Sequence, residues 1–342
     1  MITSSAPFSA QQFASKITGT GSGFPKRIVT NDDLSKTLDT SDEWIRERTG
    51  IRERRISKPA DPNERNSSLA LRAAQQALEM AGKRPEDIDQ ILYATVSPDT
   101  LVPNTACWLQ LKLGAHRAHA MDINAACSGF VYALTMADQS IRCGLAKTSL
   151  VIGAEVLSTF TDWEDRGSCI LFGDGAGAAI VEQVPGNSKS RILSTHLGAD
   201  GRLWEMFHLP AGGSNMEVTP EVHAAKLDKM KMKGREIFKV AVKTLADYAV
   251  IALESNGMKA DDLDWFVPHQ ANLRIIEAVA KRLDFPMEKV LLNIERYGNT
   301  SSATAITALD EAVRDGRVKQ GQTVLIDVFG AGLTYGSTLM RW

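Results

Sequence analysis

The 342-residue sequence lacks most of the signals that assign a chain to a class at a glance. Its four cysteines, Cys107, Cys127, Cys143 and Cys169, form no CxxC pair and have no histidine-rich partner segment. Neither a zinc site nor a redox dithiol is expected, and no other metal or cofactor is indicated. Isolated thiols suit a reducing compartment, so the expected setting is cytoplasmic. No stretch approaches the ~18 apolar residues of a membrane span, and Met1–Lys16 lacks the apolar core of a signal peptide. With 39 basic and 41 acidic residues the net charge is −2, which offers no global field for nucleic acid or an anionic membrane. Phosphate-loop and hydrolase-elbow motifs are also missing.

What is present is an ordinary soluble composition, 44% hydrophobic and 23% charged. The length allows roughly two domains at about 150 residues each. An internal echo sharpens this: Ala77–Leu92 aligns without a gap on Ala252–Val267, an offset of 175. Each copy reads as an amphipathic helix (Ser68 to Met80, Ile237 to Glu254), a closing glycine (Gly82, Gly257) and a strand (Gln90 to Thr95, Trp265 to Pro268). The same offset carries Cys127 onto Ser302, and Phe172-Gly-Asp-Gly-Ala-Gly echoes Phe329-Gly-Ala-Gly. We expect residues 1–15 to be a loose extension, followed by two similar α/β halves, 16–185 and 186–342, meeting around a pseudo-two-fold axis. A ligand site is expected at their junction.

Three residues there can do chemistry. Cys127 follows a strand-like segment and precedes a helical pattern, so the helix dipole and free N–H groups are expected to favour its thiolate; bringing a thiol from about 8.5 to about 7 takes roughly 2 kcal/mol. Taken alone, Cys127 also reads as a small buried hydrophobe. His269 stands where a strand ends, after Pro268, and alternatively is a hydrogen-bonded structural histidine. Asn299 precedes the helix Ala303 to Val313 and alternatively is an ordinary N-cap. Together, a thiol, an imidazole and an amide suit acyl transfer to sulfur, followed by a step in which N–H donors hold a developing oxyanion. The glycines of 172–177 precede a strand rather than a helix, so close backbone packing explains them better than a dinucleotide site.

Nine ordered motifs then resemble the β-ketoacyl-acyl-carrier-protein synthase III family of the thiolase superfamily. They include Thr40-Ser-Asp-Glu-Trp-Ile, Ala125-Ala-Cys-Ser-Gly-Phe, Gly153-Ala-Glu, Phe172-Gly-Asp-Gly-Ala-Gly, Pro268-His-Gln-Ala-Asn, Gly298-Asn-Thr-Ser and Phe329-Gly-Ala-Gly, and the match runs from about Ile17 to Trp342. The resemblance implies a thiolase-like, five-layered αβαβα fold and a homodimer. It also implies an acyltransferase: a short acyl-CoA, acetyl-CoA first, acylates Cys127, and malonyl-acyl-carrier protein then condenses with loss of CO₂, initiating type II fatty acid biosynthesis. His269 and Asn299 would assist decarboxylation, His269 as a neutral ring protonated on Nε2. Backbone N–H groups of Cys127 and Ala331 would form the oxyanion hole, with Ala331 in place of a common glycine.

The resemblance further assigns coenzyme A contacts to Trp44, Arg48, Arg166, Asn272 and Arg274, with Arg235 where an asparagine would face the pantetheine. Val102 would be inserted by the partner subunit into the acyl pocket, with Leu171 and Phe329 as further lining. Lys239, Arg274, Lys281 and Arg282 would form a basic docking face for an acidic acyl carrier protein. The competing reading within the superfamily is a condensing enzyme of secondary metabolism or long-chain acyl condensation. A biosynthetic thiolase is disfavoured because Cys169 is the last cysteine, and a non-catalytic scaffold is disfavoured by the intact Cys127, His269 and Asn299.

Overall fold

Two apolar runs, Thr148–Glu155 and Thr323–Gly330, are buried at every position, as expected of central strands covered on both faces. They lie 175 residues apart end to end, and the rest of the fold is arranged around them. The computed structural model describes residues 12–58 and 60–342. The first half runs β1 (Phe13–Gly23), α1 (Asp42–Thr49), α2 (Asn66–Ala81), β2 (Gln90–Ala94), α3 (Thr105–Leu113), β3 (His119–Ile123), α4 (Gly129–Arg142), β4 (Thr148–Glu155) and β5 (Gly175–Pro185). The second runs β6 (Arg191–Ala199), α5 (Gly234–Glu254), β7 (Trp265–Pro268), α6 (Leu273–Arg282), α7 (Thr304–Arg314), β8 (Thr323–Gly330) and β9 (Thr334–Arg341).

The sheets have matching topology. The first is ordered β1-β5-β4-β2-β3 and the second β6-β9-β8-β7. In both, the two strands at one edge pair antiparallel and the other neighbours of the central strand run parallel to it. A counterpart of β3 is reduced to one parallel bridge, Phe266 to Val290. Side-chain alternation then decides the layers. Leu92, Val151 and Val181 point inward onto α4 and α7, as do Val267, Ile326 and Met340 of the second sheet. Ile91, Leu150 and Ile180 face α2 and α3, while Phe266, Leu325 and Leu339 face α5 and α6. The result is the five-layered αβαβα arrangement.

Residues Phe13–Ser15, expected in a loose extension, instead begin β1 and pair with Pro185–Gln183; residues 1–11 lie outside the described ones. Among the described residues no helix is long and apolar enough to cross a membrane, and no group of three metal-ligating side chains occurs. Glycine lets the halves interlock. A Cβ on Gly153 of β4 would sit 2.4 Å from the Ser302 carbonyl oxygen, and one on Gly330 of β8 would sit 2.8 Å from the Cys127 nitrogen. Each central strand therefore presses on the other half's turn.

Candidate active site

Those two turns hold or flank the candidate residues Cys127 and Asn299. Ala126–Ser128 forms a 3-10 turn before α4, and Ser301–Ala303 forms its counterpart before α7. Ala126 and Ser301, one repeat apart, have φ of 46° and 52°. A non-glycine residue adopts that left-handed conformation at a cost of about 1–3 kcal/mol, a strain concentrated at functional sites. Ser128 Oγ donates to the Thr334 carbonyl (2.9 Å) and Thr334 Oγ1 to the Ala125 carbonyl (2.8 Å), which ties the first turn to β9.

Cys127, His269 and Asn299 meet at a cavity of about 510 Å³ between the halves. All three are buried. The expected lowering of the Cys127 thiol is overturned: burial pushes it up to about 12, against a Ser301 hydrogen bond and a backbone N–H that lower it. Dipole reasoning from the chain pattern omitted the second half, which covers this turn. The Cys127 thiol is therefore neutral at pH 7.

His269 follows β7, and its N–H donates to the Asp327 carbonyl (2.8 Å). Burial drives its imidazole down to about 3, so the ring is neutral at pH 7. Its Nδ1 lies 2.6 Å from Thr304 Oγ1, which is also 3.0 Å from the Ser301 carbonyl. The Ser301 carbonyl can only accept, so Thr304 either gives its proton there and accepts from His269 Nδ1–H, or turns to donate to Nδ1 and leaves the ring proton on Nε2. Asn299 Oδ1 accepts from the Ser301 N–H (2.8 Å), which commits the oxygen and leaves the Nδ2 hydrogens for the cavity. The Asn299 backbone is held by Leu171 and Gly173 (2.8 and 3.0 Å). A Cβ on Gly173 would lie 2.2 Å from the Tyr297 carbonyl oxygen, so the 172–177 glycines do serve close packing.

Ala331, Trp44, Arg48, Asn272, Leu171, Phe329 and Arg235 line the same cavity. Ala331 is not among the residues with positive φ, so alanine is accommodated there without strain. The guanidiniums of Arg48 and Arg166 lie over the Trp44 ring at 4.3 and 4.7 Å. Arg166 does not line the cavity; it is anchored on Asp39. Arg274 is also outside the lining, because it bonds the Glu47 carbonyl (3.0 Å) and carboxylate (3.4 Å) and so ties α6 to α1. Val102 is 87% exposed and does not line this chain's own cavity. Lys239, Lys281 and Arg282 are exposed, with Asp247 3.8 Å from Arg282. Sequence reasoning missed Thr304, Ser301 and the apolar wall of Phe238, Ala241 and Leu245. The amphipathic pattern of α5 announced that wall's apolar face without saying what it covers.

This geometry has close relatives. Residues 121–201 match the family profile of 3-oxoacyl-[acyl-carrier-protein] synthase III, and residues 253–342 match the profile of that enzyme's C-terminal part. A β-ketoacyl-[acyl-carrier-protein] synthase III of Xanthomonas campestris is 51% identical over 97% of this chain and 100% of its own. One of Methylococcus capsulatus is 50% identical over 96% of this chain and 99% of its own. The crystal structure of 3-oxoacyl-[acyl-carrier-protein] synthase III from Aquifex aeolicus superposes with a TM-score of 0.88 at 47% identity, covering 96% of this chain and 100% of that one. With the duplicated five-layer fold and the cavity at its junction, the chain belongs to the β-ketoacyl-acyl-carrier-protein synthase III family of thiolase-fold acyltransferases.

Proposed function

We propose that the chain condenses a short acyl-CoA, acetyl-CoA first, with malonyl-acyl-carrier protein to give a 3-oxoacyl-acyl-carrier protein and CO₂, the initiating step of type II fatty acid biosynthesis. The observation that carries this reading is the convergence of Cys127, His269 and Asn299, from both halves, on one largely apolar cavity. Cys127 attacks the acyl thioester, and the N–H groups of Cys127 and Ala331 hold the carbonyl oxygen as it becomes an oxyanion. CoA leaves. Decarboxylation of the malonyl group then leaves an enolate, whose oxygen accepts from His269 Nε2–H and Asn299 Nδ2–H. The imidazole is neutral and offers Nε2–H in the tautomer where Thr304 donates to Nδ1, while the committed oxygen of Asn299 leaves its amide hydrogens for the same position.

Trp44, Arg48 and Asn272 at the cavity mouth suit the adenine and phosphates of coenzyme A, by stacking and by charge. Arg166 and Arg274 support this rim through their anchors. Lys239, Lys281 and Arg282 offer cations to an acidic carrier protein. Leu101 and Val102 are exposed apolar neighbours, 83% and 87% accessible, the kind of surface that a second copy covers; a homodimer predicts twice the 37.2 kDa chain mass in sedimentation.

Intact-mass spectrometry after incubation with a mixture of acyl-CoAs tests the reading. The expected product is one short-acyl adduct per chain, released when malonyl-acyl-carrier protein is added. Absence of any adduct would overturn it, and a dominant C8 or longer adduct would overturn the short primer.

A further inference from the structure

One buried cation supports the site without lining it. Arg54, in the short strand Glu53–Arg55, is fully buried and absent from the cavity wall. Its hydrogen-bond partners are all neutral oxygens: Nη1 donates to the Val29 carbonyl (3.2 Å) and to Asn31 Oδ1 (2.8 Å), and Nη2 donates to the Ile170 carbonyl (2.7 Å). Burying a guanidinium with no carboxylate among its partners carries a desolvation cost that a packed apolar side chain avoids. The two groups that Arg54 holds account for a cation at that place.

On one side is the segment that threads Asn299. The Ile170 carbonyl accepts from Arg54, the next carbonyl, Leu171, accepts from the Asn299 N–H (2.8 Å), and the Gly173 N–H donates to the Asn299 carbonyl (3.0 Å). These backbones lie against Arg54: a Cβ on Gly298 would sit 3.5 Å from the Arg54 Cβ, and one on Gly173 would sit 3.2 Å from it. On the other side is α1. Asn31, itself buried, gives its amide hydrogens to Asp42 Oδ1 (2.9 Å) and the Ile51 carbonyl (2.7 Å), so it grips that helix at its first residue and just past its end. Between those points α1 carries Trp44 and Arg48 into the cavity lining. Cys127 stands outside this network, because its turn is tied to β9, and His269 is held by Thr304 and the Asp327 carbonyl.

We propose that Arg54 is a positioning residue for the condensation. One guanidinium fixes both the segment that places Asn299 and, through Asn31, the helix that places Trp44 and Arg48, so the amide donor and the cavity mouth keep one fixed relation. The proposal rests on Asn299 as a donor to the enolate. Arginine is needed because its planar fork reaches Asn31 and Ile170 from two separate nitrogens, whereas a lysine has one nitrogen for both.

Arg54→Lys tests it, with each rate expressed per folded molecule. CO₂ release from malonyl-acyl-carrier protein should fall on the order of 10- to 100-fold, up to the loss of one oxyanion donor. Alkylation of Cys127 by iodoacetamide should stay within about twofold of wild type, since the thiol's turn is held separately. In an Asn299→Ala background, Arg54→Lys should slow CO₂ release no further, because the residue acts through the amide that is already gone. Asn31→Ala cuts the arm to α1 and keeps the arm to Ile170, so it should raise KM for acetyl-CoA on the order of 10-fold and change CO₂ release less than Arg54→Lys does; it also keeps the test open if the lysine variant does not fold. An Arg54 that only stabilises the fold predicts a lower melting temperature with CO₂ release per folded molecule unchanged, or with alkylation cut equally. Either result overturns the proposal, as does full additivity with Asn299→Ala or an unchanged KM in Asn31→Ala. Wild type is the control that separates the two readings: no CO₂ release from wild type would overturn the condensing function itself, whereas equal release by wild type and Arg54→Lys overturns only the role of Arg54.

Discussion

Cys127→Ala should abolish acyl transfer from CoA and cut condensation on the order of 10⁴- to 10⁶-fold, while malonyl decarboxylation survives. Alanine deletes the nucleophile and leaves His269 and Asn299 in place, because neither is held by the sulfur: His269 rests on Thr304 and the Asp327 carbonyl, and Asn299 on Ser301, Leu171 and Gly173. His269→Ala should give the reverse pattern. Cys127 still acquires its acyl group, and decarboxylation falls roughly 100- to 1000-fold, the cost of losing one oxyanion donor. Adduct mass reads the first half-reaction and CO₂ release from malonyl-acyl-carrier protein reads the second. Loss of both activities in either variant would contradict two donors that act on the enolate independently of the thiol.

The second large effect concerns stability. Asp327 lies in the middle of β8, fully buried, and neither carboxyl oxygen has a hydrogen-bond partner. Burial holds its carboxyl well above the usual carboxylate range, so the folded chain keeps it protonated where the unfolded chain ionises it. With the folded value raised, the unfolded state binds fewer protons above about pH 4, and stability falls as pH rises by up to about 1.4 kcal/mol per unit across that window. Asp327→Asn keeps the shape and removes the ionisation. The variant should therefore lose one proton's share of this slope and gain most over wild type at the alkaline end. Glu155 and Asp174, raised to about 7 and about 6 by burial, contribute the same sign in both proteins and cancel in the comparison. Urea midpoints near pH 5 and pH 8 give the slopes; parallel lines for the two proteins would sink the idea.

The frame was legible in the chain because a repeat constrains itself. The offset of 175 that pairs Ala77 with Ala252 also pairs β4 with β8 end to end and Ala126 with Ser301, so the layers and both turns follow from one alignment. The meeting of Cys127, His269 and Asn299 at one cavity was legible because each sits at a strand end or helix start. What stayed hidden depends on the other half of the chain. The thiol's direction of shift reverses because residues after 298 bury it, and no local pattern around Cys127 records that. Arg274 reads as a free cation on an exposed helix face, yet Glu47, 227 positions away, occupies it. Phe13–Ser15 read as an extension because their partners, Gln183–Pro185, come at the far end of the same half.

The reciprocal contact of Gly153 with Ser302 and Gly330 with Cys127 has a bearing on folding. Neither turn has its supporting strand until the opposite half has arrived, so the left-handed residues beneath the nucleophile and the amide are held only on the complete chain. Catalytic competence is then a late reporter of assembly, because Cys127, His269 and Asn299 share one cavity only on the complete chain.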